Sequence, residues 1–224
     1  MITKIESLLG QAVLILIYGF FAIKGIHSLE LMLSKPWSSE TWLLDVIIRI
    51  AGFAFLVLLA ATTIIRLPAK GTAAGIEPRI SAILGTFTTL TLIVMPKGEI
   101  PVEAKYLALF LILTGTILSV YCLYFLGRSF SVMAHARKLV TYGPYSIVRH
   151  PLYAAEMITL FGVTIANFSW QATVVILITI AFQFRRMVNE QNILRATFRE
   201  YVDYEKRVPM IIPAFGLLKP RAQR

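Results

Sequence analysis

The sequence predicts an all-α, polytopic transmembrane helical bundle of five or six spans, including a C-terminal helical hairpin, followed by a cytoplasmic C-terminal amphipathic helix. Three observations carry this. The 224 residues are 57% hydrophobic and only 15% charged, with a mean hydropathy of +0.73. That is more apolar surface than one soluble core of this length buries, so lipid is part of the solvent. Apolar runs of about 20 residues, the length that crosses a bilayer core of roughly 30 Å, recur along the chain. Between them lie short connections rich in Pro, Gly and Lys, of the kind that join neighbouring helices.

The first run, Gly10–Leu33, follows Lys4 and Glu6 and continues past any short signal-peptide core without a small-residue cleavage site, so a retained helix is expected. Leu43–Leu67, Ile80–Pro96 and Ala104–Leu126 follow, separated by turns at Ser34–Pro36, Pro68–Pro78 and Pro96–Pro101. The fifth apolar region, Leu152–Phe184, is too long for one comfortable span and is broken at Asn167-Phe168-Ser169-Trp170, which implies two helices in a tight hairpin. Beyond it, Met187, Ile193 or Leu194, Phe198 and Tyr201 or Val202 recur near helical spacing. One amphipathic helix is therefore expected to extend from the last span to the stop at Pro209. The organisation is a four-span bundle over residues 1–126 and a region over 127–224 that carries the chemistry.

Lys and Arg set the orientation, because cytoplasmic loops collect them. With the N-terminus inside, seventeen fall on the inner side and only Lys35, Lys97 and Lys105 on the outer. Both termini are therefore expected in the cytoplasm, in a chain of the cytoplasmic (inner) membrane. The net charge of +10 then reads as loops facing anionic headgroups and excludes a nucleic-acid role. The single cysteine, Cys122, lies in an apolar run and excludes an internal disulfide and a cysteine metal cluster, and no metal is expected. Two cations lie within spans. Arg49 follows Asp45 by one turn and is expected to pair with it, and Lys24, near His27 and Glu30, to reach the outer interface.

The densest polar cluster is Tyr142-Gly143-Pro144-Tyr145 through Arg149-His150-Pro151-Leu152-Tyr153 to Glu156. Glycine and proline make a turn, and Pro151 suits the first position of a helix. Free backbone N–H groups at that helix start, beside Arg149 and His150, suit a carboxylate or phosphate. The same residues also suit a basic loop that merely holds lipid headgroups. A second cluster, Arg185-Arg186 to Glu190, bears on function only if Glu190 faces the first.

The ordered set closely resembles the isoprenylcysteine carboxyl methyltransferase family and the related phospholipid methyltransferases. It comprises Gly143-Pro-Tyr145, Arg149-His150-Pro151-x-Tyr153, Arg185 with Glu190 five residues on, Tyr201-x-x-Tyr204, and Arg207-Val-Pro209 followed by Pro213. The likeness runs over about Leu139–Phe215, with Asn167 and a hairpin between its halves. It implies an S-adenosylmethionine-dependent membrane methyltransferase without a Rossmann domain, acting on a lipid-like or prenylated acceptor, most simply by carboxyl methylation of an isoprenylcysteine-type substrate. Gly143, Tyr145, Arg149, His150, Pro151, Tyr153 and Glu190 would then bind the cofactor. Arg185 and His150 would act in catalysis, and Arg185 and Tyr201 would meet the acceptor.

A carboxylate acceptor needs positioning and a dry pocket, with no proton to remove. An amine acceptor needs a base, for which His150 or Glu190 are the candidates. The chain departs from the family pattern at Asn189, where a Glu-Glu pair is usual, at Thr197-Phe198, where Phe-Gly is usual, and at Glu156. The rival readings are a phospholipid or amine N-methyltransferase, an NADPH-dependent sterol-type reductase with Arg185 and Arg186 on phosphates, and a non-catalytic lipid-binding or transport protein. The last would line the first four spans with polar residues, whereas Leu, Ile, Val, Phe and Thr predominate there.

Overall fold

The computed structural model describes residues 2–37, 40–88, 91 and 98–213, with side chains from Gly10 onward. Among them the helices are α1 (Ile2–Leu33), α2 (Trp42–Ile64), α3 (Glu77–Phe87), α4 (Val102–Leu126), α5 (Pro151–Ala166), α6 (Trp170–Thr197) and α7 (Tyr201–Arg207). Two short strands, β1 (Gly71–Thr72) and β2 (His135–Ala136), and 3-10 turns at Gly127–Ser129 and Gly143–Ser146 complete the described elements. Among the described residues four stretches are long and apolar enough to cross a membrane: Gly10–Leu33, Trp42–Ile64, Val102–Ser129 and Trp170–Thr197. The expected span Ile80–Pro96 is seen as helix only to Phe87, and residues 89–90 and 92–97 lie outside the described residues. The apolar helix α5 has 16 residues, short of a full perpendicular span.

The hairpin forms where Asn167–Trp170 breaks the apolar run. Pro151 opens α5 at its first turn, and the Ser169 hydroxyl caps α6 by accepting from the Ala172 N–H at 3.2 Å. It is splayed, however, and not the tight pair expected. Helix α5 lies along α4, whereas α6 packs on α3. Small residues allow the first contact: a Cβ on Gly115 would come within 2.6 Å of the Thr159 backbone nitrogen, and one on Gly162 within 2.7 Å of the Ala108 carbonyl. Gly115→Ala or Gly162→Ala should therefore destabilise the protein by about 1–3 kcal/mol, the usual cost of overpacking. Thermal unfolding in detergent should show this as a lowered midpoint, and an unchanged midpoint in both would refute the close packing.

The expected continuous C-terminal helix is in fact two. Phe198 is extended (φ −119°, ψ 116°) and buried with Ala136, Tyr201 and Tyr204, so its burial redirects the chain into α7 without the usual glycine. The loop after α2 is a strap. Its strand β1 pairs antiparallel with β2, Gly71 opposite Ala136 and Thr72 opposite His135. Lys70 N–H donates to the Ala136 carbonyl at 2.7 Å and Ala73 N–H to Ala134 at 3.0 Å, extending the pairing at both ends.

The pairing of Arg49 differs from expectation. Arg49 donates to Ser28 on α1, and Asp45 accepts from Thr41 at 2.8 Å, so no Asp45–Arg49 ion pair forms. An acceptor on a neighbouring helix and the local capping hydroxyl displace the i,i+4 contact. Lys24 lies 5.8 Å from the Phe20 ring centroid, and Glu30 approaches His27 at 3.9 Å instead.

Candidate active site

The divergence of α5 from α6 leaves a cleft with two adjoining lobes that share a wall. Leu126, Ser129, His135, Tyr145, Arg149, His150 and Glu190 belong to both. The first lobe adds apolar Phe130, Met133 and Leu152, with Tyr153 and Arg186. The second adds Arg137, Lys138, Leu194, Tyr201 and Tyr204, among others. A cleft in which a few polar groups converge beside apolar side chains is the usual form of a small-molecule site.

The two motif clusters meet here. Tyr153 on the first turn of α5 donates its hydroxyl to Glu190 Oε2 on α6 at 3.0 Å. One residue along α6, Gln191 Nε2 lies 2.9 Å from His150 Nε2, and its Oε1 accepts from Arg149 at 3.2 Å. An amide N–H facing Nε2 leaves that nitrogen as the acceptor, so the proton of the neutral ring is assigned to Nδ1. Burial, with the nearby Arg149 and Arg186 cations, pulls the His150 pKa down to about 3. His150 is therefore neutral at pH 7 and suited to hold geometry, not to take a proton.

Gly143 makes the turn before the helix, at φ +62° against the Phe125 ring, where a side chain would be strained in any case. The turn carries Pro144 and buried Tyr145. The Tyr145 carbonyl accepts from Tyr204, and its hydroxyl reaches the Cys122 carbonyl at 3.5 Å. The Val-Pro motif after α7 has a physical role too. The Pro209 and Met210 carbonyls accept from the Arg149 and His150 N–H groups at 2.8 and 3.0 Å, so the C-terminal segment pins the Arg-His pair from behind. Gly143 and Pro151 thus shape the site without lining it, whereas Tyr145, Arg149, His150, Tyr153, Glu190 and Tyr201 all border the cavity.

Arg185 does not border it. Its guanidinium pairs with Glu77 of α3 at 3.1 Å and is 56% exposed, because adjacent helical positions point about 100° apart and α3 takes this face. The arginine turned inward is Arg186, which is 7% exposed. It lies 5.1 Å over the Tyr153 ring and donates to Thr86 Oγ1 at 3.2 Å and the Ser131 carbonyl at 3.4 Å. Asn189, in place of a usual glutamate, donates to Glu77 Oε2 at 2.9 Å and to Ser81 at 3.1 Å; a carboxylate there would face Glu77. Glu156 is half-buried and accepts from Gln183 at 3.3 Å.

Two lining residues were absent from the sequence reading, His135 and Arg137. Their signal was the alternation of buried Val132, Ala134 and Ala136, the period of a strand. Burial and the Arg137 charge beside it bring the His135 pKa down to about 4, and burial brings that of Arg137 down to about 10.

Comparison with known proteins supports the motif reading. Residues 104–201 match the family described as phospholipid methyltransferase. The cobalt-zinc-cadmium resistance protein CzcN of Cupriavidus metallidurans is 32% identical over 82 residues, covering 36% of this chain and 38% of that protein. The nickel-cobalt-cadmium resistance protein NccN of Alcaligenes xylosoxydans xylosoxydans is 29% identical over 107 residues, 47% of each chain. Protein-S-isoprenylcysteine O-methyltransferase B of Arabidopsis thaliana is 32% identical over 110 residues, 46% of this chain and 56% of that one. The aligned parts thus cover about half or less of these relatives' lengths. The family match at 104–201 takes in most of α4, the cavity loop, α5 and α6.

Proposed function

We propose that this chain is an integral membrane methyltransferase that uses S-adenosylmethionine and methylates the carboxylate of a lipid-like acceptor of the isoprenylcysteine kind. The observation that carries the reading is the Tyr153–Glu190 contact at 3.0 Å, which joins the two halves of the motif set on one cavity wall. The donor set fits such a cofactor: a half-buried carboxylate, Glu190, for its ammonium, N–H and O–H donors for its polar edges, and apolar side chains beside them. On this reading the motif-bearing end of the bundle faces the cytoplasm, as the distribution of Lys and Arg favours.

When bound, the cofactor supplies an electrophilic methyl on a sulfonium. The protein's part is then to orient and to exclude water. Arg186 has five N–H donors and spends two on neutral acceptors. Its remaining donors suit a planar oxyanion held in two-point fashion, an arrangement that positions a carboxylate without deprotonating it. Phe130, Met133 and Leu152 keep that lobe dry. Neutral His150 is consistent with an acceptor that has no proton to lose. The reductase alternative wants Arg185 and Arg186 converging on phosphates, and here they face opposite ways.

Calorimetric titration of the purified protein in detergent with S-adenosylhomocysteine, with NADPH in parallel, tests the reading. Micromolar binding of the first and none of the second is expected. Binding of NADPH alone would replace it with the reductase, and binding of neither would remove the enzymatic reading.

A further inference from the structure

The second lobe holds more hydrogen-bond donors than it has acceptors. Arg137 Nε, Arg149 Nε and Tyr201 Oη are each enclosed and without a partner of acceptable geometry, and all three residues border this lobe. Arg137 is 4% exposed and Tyr201 1%, so water does not stand in for the missing acceptor. The Arg149 charge is already met by Glu205 at 3.1 Å, which also takes Arg195 at 2.8 Å. Among the described residues, Arg137 has no carboxylate partner. One of its amino groups donates to the Leu67 carbonyl and the other lies 3.4 Å from His135 Nδ1, on a ring that burial keeps neutral. The carboxylate bordering this lobe, Glu190, has its Oε2 engaged by Tyr153. A guanidinium with no carboxylate partner among the described residues, the neighbouring Arg149 and Tyr201 side chains, and an acidic group on the shared wall together complement an α-amino acid: a carboxylate on one side and an ammonium on the other.

We propose that Arg137, Arg149 and Tyr201 form an oxyanion receptor for the α-carboxylate of the methyl donor's amino-acid part, leaving the first lobe, with Arg186, to the acceptor. The proposal rests on the methyl-donor reading above and adds the direction in which that ligand lies.

The test compares two ligands by calorimetry on the full chain: S-adenosylhomocysteine, and S-adenosyl-3-thiopropylamine, which keeps the amine and lacks the carboxylate. Wild type should bind the first at least about 30-fold more tightly, as a charge-assisted pair predicts. Arg137→Gln should bring that ratio close to one and leave the affinity for the amine unchanged. Because Arg137 also holds the Leu67 carbonyl, Tyr201→Phe is the second variant. It removes a hydroxyl that meets only the Arg149 side chain, so the thermal midpoint should fall little while the ratio falls roughly 5-fold. A ratio unchanged in both variants, or equal weakening of both ligands, overturns the receptor. Equal binding of the two ligands by wild type overturns it too while sparing the donor reading. Failure of wild type to bind either overturns both.

Discussion

Glu190→Gln is expected to weaken S-adenosylhomocysteine binding by more than about 100-fold, the effect of removing one partner of an enclosed charge-assisted contact. The side chain keeps its volume and can still accept from Tyr153, so the helix contact survives and the fold with it. What is lost is the negative charge beside Arg186, at the wall of the cavity. Calorimetry and the thermal midpoint, measured on the same preparation, separate the two effects. Retained binding would mean that Glu190 serves only to tie α6 to α5.

The second large effect is on turnover. Arg186→Met should lower kcat/KM for an N-acetyl-S-prenylcysteine by about 100-fold or more, while cofactor binding changes by less than about 3-fold. Arg185→Ala, by contrast, should stay within about 3-fold of wild type in both, because its partner is Glu77 and its surroundings are solvent. Methionine leaves Glu156 and Glu190 without a nearby cation, so Arg186→Lys is the control. It keeps the charge but not the planar fork, and at least about a 10-fold loss should remain. If Arg185→Ala were the dead variant and Arg186→Met the active one, the acceptor would lie on the α3 side of α6.

How much of this was legible beforehand can be traced residue by residue. The helices were, because apolar runs and Pro, Gly and Ser boundaries act locally; Pro151 and Ser169 start their helices where the composition changes. The meeting of Tyr153 with Glu190 was legible only through the motif set, since no periodicity relates positions 37 residues apart. The choice between Arg185 and Arg186 was not. Either can face inward until α3 is in place, and the decisive partner, Glu77, is 108 residues away. Asp45 and Arg49 failed for the same reason, with Ser28 on another helix accepting the bond. Arg137 was hidden because a two-residue strand is too short to announce itself against long helical signals.

The strap between α2 and α3 bears on how such proteins can be recombined. Thr72 and Gly71 are stitched to the cavity loop at His135 and Ala136, and a Cβ on Gly71 would run into Thr197 at the end of α6. The membrane-anchoring half is therefore not an interchangeable pedestal. A chimera joined near residue 100 would bring a foreign linker to this seam, leave Ala134 and Ala136 without their backbone partners and set any bulkier residue against Thr197. Exchanges between relatives should succeed only when residues 67–73 travel together with the 127–150 loop that they edge.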